Sequence, residues 1–388
     1  MKRSLYLGLL LVLALALLAG CAPPAAAVPA QAVMYHGGPQ RTGVYATHSL
    51  ASFGGVKWQF KTEGQVWSSP VVAGGLVYFG SDDGHLYALD SQTGREKWRF
   101  KTGDDVRSSV AVADGLVYFE SYDGYLYALN AQDGQQVWRF RLASGDLLKL
   151  RPAYDDYLSS PLVADGVVYA GTVDPRHCLY ALDARTGQEK WNFSPASGID
   201  MVHSSPALFK DTLYFGGDFN NFHALDVKTG QVKWTFKTAG TLNYAPAVGD
   251  DGTVYFSSKD TYLYALDGQT GALKWKNQLA GSSWVTSSPA VAGGLVYAGT
   301  SDGHQLFAVD AKTGQTVWQA TGYGYVWSSP AVAEGMVYVG GGRLNALDAK
   351  TGHKIWEFQP KGYVYSTPLV DDGVVYVGSN DGSLYALQ

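Results

Sequence analysis

The sequence predicts an all-β protein: an eight-bladed β-propeller of four-stranded antiparallel blades, closed into a ring by its own N-terminal strand. Three observations predict it. A motif close to Ala-Leu-Asp-x-x-Thr-Gly-x-x-x-Trp occurs seven times, ending at Trp98, Trp138, Trp191, Trp234, Trp275, Trp318 and Trp356. An eighth copy stops at Ala386-Leu387-Gln388, and its missing strand stands at the other end of the chain as Val56-Lys57-Trp58-Gln59-Phe60. The composition, with 47 Gly, 26 Tyr and 11 Trp, suits strands and tight turns rather than helices. A period of about 40 residues overrides the two-domain expectation that 388 residues would otherwise raise.

The N-terminus reads as an export signal over 1–20. Lys2-Arg3 is a basic front, Leu5 to Leu18 an apolar stretch, and Leu18-Ala19-Gly20-Cys21 follows. So short an apolar stretch between those flanks is a secretory signal rather than a membrane span. The four residues ending in Cys21 resemble a bacterial lipobox, which implies diacylglyceryl modification of Cys21 plus N-acylation, an anchor of more than one chain. With Cys21 lipidated, Cys178 has no partner for an intrachain disulfide, so the core must hold the fold. Residues 21–55 are the lipidated cysteine, a tether (22 to about 34) and a lead-in to the propeller at 56–388. Without Lys2 and Arg3, 27 basic residues stand against 34 acidic ones. That acidic balance, with no basic block, argues against nucleic-acid binding.

One blade is legible from Trp67 to Phe100. Ser68-Ser69-Pro70-Val71-Val72-Ala73 starts a short strand and Gly74-Gly75 turns. Leu76 to Gly80 is a second strand, Asp83-Gly84 a hairpin signal, and His85 to Leu89 a third strand. Ser91-Gln92-Thr93-Gly94 turns again into Lys97-Trp98-Arg99-Phe100. Eight such units start near residues 66, 106, 157, 202, 242, 285, 326 and 364. Joining the two chain ends in one blade leaves no broken sheet. The eight tryptophans of the outer strands, Trp58 included, are expected to dock on the small Ala and Gly of adjoining blades. Asp90, Asp183, Asp226, Asp267, Asp310 and Asp348 precede the Thr-Gly turn and are expected to bind its amides.

These motifs resemble the tryptophan-docking motif of quinoprotein propellers, the pyrroloquinoline-quinone-type repeat family, over about 56–388. The family includes quinoprotein dehydrogenases, which are much longer, and BamB-type lipoproteins of the outer-membrane β-barrel assembly machinery, which share the length and the lipobox. For a dehydrogenase the resemblance implies Ca²⁺ beside the quinone, an Asp base and often a disulfide between adjacent cysteines. The chain has no adjacent cysteines and no evident cluster of oxygen ligands for a hard cation. It also lacks His-rich metal spacing, a nucleophile elbow and a phosphate loop. No catalytic residue, metal or cofactor is therefore expected. Pyrroloquinoline quinone with Ca²⁺ belongs to the alternative, a dehydrogenase-like protein.

Positions where the blades disagree are free to serve a partner. Three residues before the strand-opening proline, or its equivalent, the chain reads Trp67, Arg107, Leu158, His203, Asn243, Thr286, Trp327 and Tyr365. This is the expected mouth of the central channel. Loops with Trp284, Tyr323, Tyr325 and Tyr363 are expected on the same face. Trp67, Arg107, His203, Asn243, Trp284, Tyr325, Trp327 and Tyr365 form the candidate binding mouth. Two insertions, 141–157 and Val173 to His177, stretch the interval from Trp138 to Trp191 to 53 residues and belong on one rim over the third blade. The expected protein is a monomeric, lipid-anchored, non-catalytic scaffold that binds an envelope partner through loops and added-strand contact. A component of the β-barrel assembly machinery is the expected partner, and a glycan- or peptide-binding module is the other alternative. Ala22 carries no Asp retention signal. The anchor thus belongs in the outer membrane, facing the periplasm, of a diderm, or on the outer face of a monoderm's plasma membrane.

Overall fold

A computed structural model of the chain describes residues 32–143, 159–174, 177–195, 201–279 and 284–388. The expected signal and lipobox cysteine and most of the 141–157 insertion lie outside these residues, as does Leu158. Eight antiparallel sheets form the eight blades of a propeller. In the first, the strands are Val71–Ala73, Leu76–Gly80, His85–Asp90 and Glu96–Lys101, counted from the channel outwards. The last blade takes Val56–Lys61 as its outer strand, paired with Ser383–Leu387. Every outer strand carries a register shift directly before its tryptophan, as between Gln136 and Trp138. Such a bulge twists the strand and re-aims one side chain. Here it turns the indole towards the next blade.

At each joint two rings meet one carbonyl. Trp98 Nε1 donates to the Ala131 carbonyl at 3.1 Å, and Tyr78 Oη donates to the same oxygen at 3.0 Å. The pairing recurs around the ring. Trp138 and Tyr118 bind Ala184 O, Trp191 and Tyr169 bind Val227 O, and Trp234 and Tyr214 bind Gly268 O. Trp275 and Tyr255 bind Ala311 O, Trp318 and Tyr297 bind Ala349 O, and Trp58 and Tyr376 bind Ser91 O. The carbonyl belongs to the turn between third and outer strands, and the turn's glycine lies under the indole. A Cβ on Gly271 would stand 2.7 Å from Trp234 Cδ2, at a φ of +74°. Turn aspartates do the local work: Asp226 Oδ1 accepts from both the amide and the hydroxyl of Thr229, at 2.9 Å each.

The eighth joint is made differently, because the truncated last repeat has no turn for Trp356. The lead-in segment supplies one. Trp356 Nε1 donates to Leu50 O at 2.7 Å, Tyr338 Oη accepts from Leu50 N at 2.8 Å, and Phe53 stacks on Trp356 at 5.6 Å. Gly54 and Gly55 then hold the Gln388 carbonyl through their amides before the closing strand begins. The N-terminus therefore contributes a docking turn as well as a strand.

The lead-in also fills the channel. Val33–Met34, assigned by sequence to the end of the tether, pair with the innermost strand Ala111–Ala113 of the second blade. The chain then turns through Tyr35–Gly37 and returns, forming backbone hydrogen bonds with the innermost strands of four further blades at Pro39, Gln40, Thr42, Gly43 and Tyr45, and at His48 with Gly373 in the turn after the last blade's innermost strand. A two-residue strand whose partners all lie in other repeats leaves no period to read, which is why the tether reading overran it. At the tip Arg41 is fully buried. Its guanidinium donates only to carbonyls: Pro206, Tyr35, Ser160 and Pro161, at 2.8–3.1 Å. Beside it both ring nitrogens of His36 face carbonyls, Arg41 O at 2.7 Å and Pro330 O at 3.0 Å. Burial outweighs these two contacts and, with the Arg41 charge, holds the imidazole down to about 4. The ring is neutral at pH 7 and donates to one of the two oxygens.

Three predictions arise from these contacts. Gly271→Ala suffers the left-handed backbone strain and the indole clash together, whereas Gly74 has a φ of +59° and open space around its Cβ position. Denaturant titration is expected to find Gly271→Ala less stable than Gly74→Ala by about 2 kcal/mol; equal losses would remove the docking role. Arg41→Met leaves buried carbonyls without their donor. It is expected to expose the 33–48 segment to proteolysis and hydrogen exchange while the blades stay protected, at a cost of about 2–3 kcal/mol. The third concerns pH. A folded-state value near 4 for His36 means the unfolded chain binds the proton first, so stability is full above the free-imidazole value and falls as pH drops from about 6.5 to 4. Thermal midpoints should show that slope in the natural protein and lose it in His36→Gln. Below about pH 4 a further loss is expected as the turn aspartates protonate, since their Thr partners hold these carboxyls below the usual range.

Candidate functional site: the channel mouth

Innermost strands run from the mouth to the far face, so residues just before them crowd round the channel entrance. Trp67, Arg107, His203, Asn243, Trp327 and Tyr365 line one funnel there, enclosing about 60 Å³ at its throat. Thr286 does not join them. Its hydroxyl donates to Val326 O at 3.1 Å, inside the joint with the next blade.

One wall of the funnel is aromatic. Trp67 lies 4.6 Å from Tyr365, and Tyr365 lies 4.8 Å from Trp327, with tilts of 33° and 36°. Tyr325 continues the arc 5.7 Å beyond Trp327, and His304 ends it 4.8 Å further on. Tyr363 lies nearly parallel to Tyr365 at 5.5 Å. At the other end the Arg107 guanidinium covers the Trp67 ring at 5.1 Å and grips Asp82 with two nitrogens, at 2.9 and 3.0 Å. The rings in the middle of the arc therefore spend their faces on one another. A sugar, which needs an open ring face, finds one only at the rim.

The opposite wall is polar. His203 Nδ1 sits 2.7 Å from Asp218 Oδ1, and its Nε2 is buried without a hydrogen-bond partner among the described residues. The floor is a belt of hydroxyls from the residue before each strand-opening proline. Ser69 N donates to Ser109 Oγ, Ser109 N to Ser160 Oγ, and Ser160 N to Ser205 Oγ. Across the ring Ala245 N donates to Ser288 Oγ, Ser288 N to Ser329 Oγ, Ser329 N to Thr367 Oγ1, and Thr367 N to Ser69 Oγ. Tyr35 from the plug closes the floor, its hydroxyl 3.1 Å from Ser288 Oγ and 2.9 Å from Ser329 Oγ. The hydroxyl residue directly before the proline, or its equivalent, thus binds a strand amide of the preceding blade. These hydroxyl positions recur along the sequence, whereas the plug beneath them has no repeat to announce it.

Around the funnel the mouth face carries exposed apolar surface. Trp284 and Tyr325 stand outside the throat, 44% and 39% exposed, with Lys259 Nζ 5.3 Å from the Trp284 ring. Tyr363 and Phe219 are exposed as well, whereas Tyr323, expected on this surface, is buried. It packs with Val326 and Val337 in the core shared by the sixth and seventh blades, and its carbonyl accepts from Gly342 N. The described ends of the two insertions meet on this rim, where Ala143 and Val173 pack with Tyr122 and Met201. Residues 144–158 and 175–176 lie outside the described structure. Among the described residues no group of His, Cys, Asp and Glu is arranged to hold a metal ion.

Similar proteins fall on both sides of the enzyme boundary. A solved structure of BamB from Moraxella catarrhalis superposes with a TM-score of 0.69 at 21% identity, covering 86% of this chain and 97% of that one. Quinohemoprotein alcohol dehydrogenase from Comamonas testosteroni superposes with a TM-score of 0.73 at 18% identity, covering 90% and 79%. At these identities the likeness is one of fold. In sequence, lupanine 17-hydroxylase [cytochrome c] of a Pseudomonas species is 31% identical over 174 residues; the match covers 43% of this chain and only 21% of that enzyme. The family model described as outer membrane protein assembly factor BamB matches residues 49–157, 103–243, 223–326 and 324–388. Nearly the whole ring carries that pattern, and the chain belongs to that family.

Proposed function

We propose that the protein is a non-catalytic, lipid-anchored scaffold of the cell envelope that holds a protein partner on its mouth face. The observation that carries this reading is the plug. The channel centre, where a propeller enzyme would seat a cofactor, is filled by the chain's own Tyr35, His36 and Arg41, and the space left is about 60 Å³. Sites for cofactor-sized ligands span roughly 300–1,000 Å³. A hard cation beside a quinone also needs six to eight oxygen ligands. The throat lining offers one side-chain amide, Asn243, and no carboxylate. These residues do not fit pyrroloquinoline quinone with Ca²⁺.

The plug also gives the scaffold a direction. Val33 pairs with Val112 and Met34 with Ala111, so the chain enters from the far face. It leaves on that face too, where His48 O accepts from Gly373 N. Eleven residues lie between Cys21 and Val33, and the twelve steps reach at most about 43 Å. An anchor at Cys21 then holds the far face towards the membrane and turns Trp284, Phe219, Tyr325 and Tyr363 away from it. Exposed aromatics on a rigid rim suit a protein partner.

Crosslinking in intact cells followed by capture of the protein from membranes is expected to bring a component of the β-barrel assembly machinery. A double substitution, Trp284→Ala with Tyr325→Ala, should weaken that capture about tenfold or more, and Cys21→Ala should release the protein from the membrane fraction. Reduction of a dye by the purified protein with quinone, Ca²⁺ and an alcohol or sugar would defeat the scaffold reading.

A further inference from the structure

The hydroxyl belt around the throat has one break. Seven of its eight backbone amides donate to a Ser or Thr hydroxyl of the next blade. The eighth, Ser205 N, faces Ala245 where its neighbours would find a hydroxyl, and it has no acceptor among the described residues. In the sequence this is the Asn243-Tyr244-Ala245-Pro246 copy, in which Ala stands where other copies have Ser or Thr directly before the proline or its equivalent. A buried amide without an acceptor costs about as much as a lost hydrogen bond. The break therefore calls for an occupant.

We propose that the break at Ala245 is a binding site for a single carboxylate. Four observations converge on an anion. Ser205 N–H is one donor without an acceptor. His203 is 4% exposed, lies two residues away and lines the same throat, with Nε2 unpartnered. Its Nδ1 is committed to Asp218, which leaves Nε2 as the ring nitrogen open to a further contact. The hydroxyls of Ser69, Ser109, Ser160, Ser205 and Thr367 accept strand amides, and among the described residues their own hydrogens have no acceptor. Under them lies a full positive charge. Arg41 donates to the carbonyl of Ser160 and makes no ion pair within the described structure. The lining thus holds an excess of donors.

Charge placement decides between anion and cation. Asp82, Asp105 and Asp218 stand near the funnel, but none of them lines it. Asp82 is gripped by Arg107, and Asp218 is held by His203. Size decides the rest. About 60 Å³ accommodates roughly four to six waters or one carboxylate group. A larger acid can place only its terminal group in the throat, with the remainder against Trp327 and Tyr365. A free small acid and the C-terminus of a peptide share this chemistry. The site stands on the throat geometry and does not depend on the scaffold reading.

The test uses the full-length protein, with acetate and acetamide as a charged and a neutral probe of the same shape. Saturation-transfer NMR and calorimetry are expected to show acetate binding and acetamide binding about tenfold weaker or worse. Ala245→Ser supplies the missing acceptor to Ser205 N and completes the belt. It should keep or raise the thermal midpoint while lowering acetate affinity about tenfold, and His203→Ala should lower it similarly. Loss of binding in a better-closed ring separates a site from a folding defect. Gly-Gly-Ala as free acid and as amide identifies the source. Tighter binding of the peptide acid than of acetate points to a chain terminus, and equal binding points to a small free acid. Equal binding of acetate and acetamide, no acetate binding, or full acetate affinity in Ala245→Ser would overturn the proposal.

Discussion

One carbonyl oxygen per joint, shared by a tryptophan and a tyrosine of one blade, is the contact on which the ring depends. A propeller blade packs only against the blades beside it, so the ring is as sound as its weakest joint. At each joint the indole and phenol bury their apolar bodies and satisfy both polar tips on one acceptor. An indole removes about 150–250 Å² from water, on the order of 4 kcal/mol before entropy is subtracted. The glycine under the ring is constrained twice, by a left-handed φ and by the approach of the indole. The aspartate before it fastens the turn that presents the carbonyl. The motif that repeats along the sequence is therefore a description of one joint, written once for each side of it.

The truncation of the last repeat tests how strictly a joint must be made. Strand pairing alone could close the eighth blade through Val56–Lys61. Trp356 and Tyr338 would still face a missing turn. The chain answers with Leu50, whose carbonyl takes both rings although it belongs to no repeat, and with Phe53, which covers the indole where glycine stands elsewhere. An acceptor at that place is evidently required by the geometry of the joint. The residue type that offers it is free, because a backbone carbonyl carries no side-chain identity.

Legibility followed the same division. Whatever repeats could be read: blade number, the strand completing the last blade, the docking tryptophans and the turn aspartates all come from comparing copies within the chain. The mouth was legible by contrast, since six of its variable positions line one throat. Thr286 varies too, yet it serves a joint, so variation alone does not separate lining from packing. Tyr323 and Tyr325 show the same limit, with one buried and the other exposed on a single loop. Alternation along an irregular loop has no fixed period. The plug was illegible for a stronger reason. Its hydrogen bonds go to six different blades, so no local pattern of residues 33–48 could report them.

The plug changes what the ring is for. An open propeller is a tube with two equivalent openings, and a ligand can reach its axis from either. Tyr35, His36 and Arg41 turn the tube into a cup with a polar floor and a rigid aromatic rim. Holding a bare guanidinium at the centre costs desolvation, and four carbonyls offset it without neutralising the charge. A plug needed only to fill space could have used apolar side chains, as the blade cores do. A cation retained under a belt of hydroxyls, bound to the carbonyls of Ser160, Pro161 and Pro206, is better explained by what the floor presents to the funnel. Structure at the joints and chemistry at the throat thus come from different parts of the chain. The repeats build the wall, and the segment outside the repeats sets the charge at its centre.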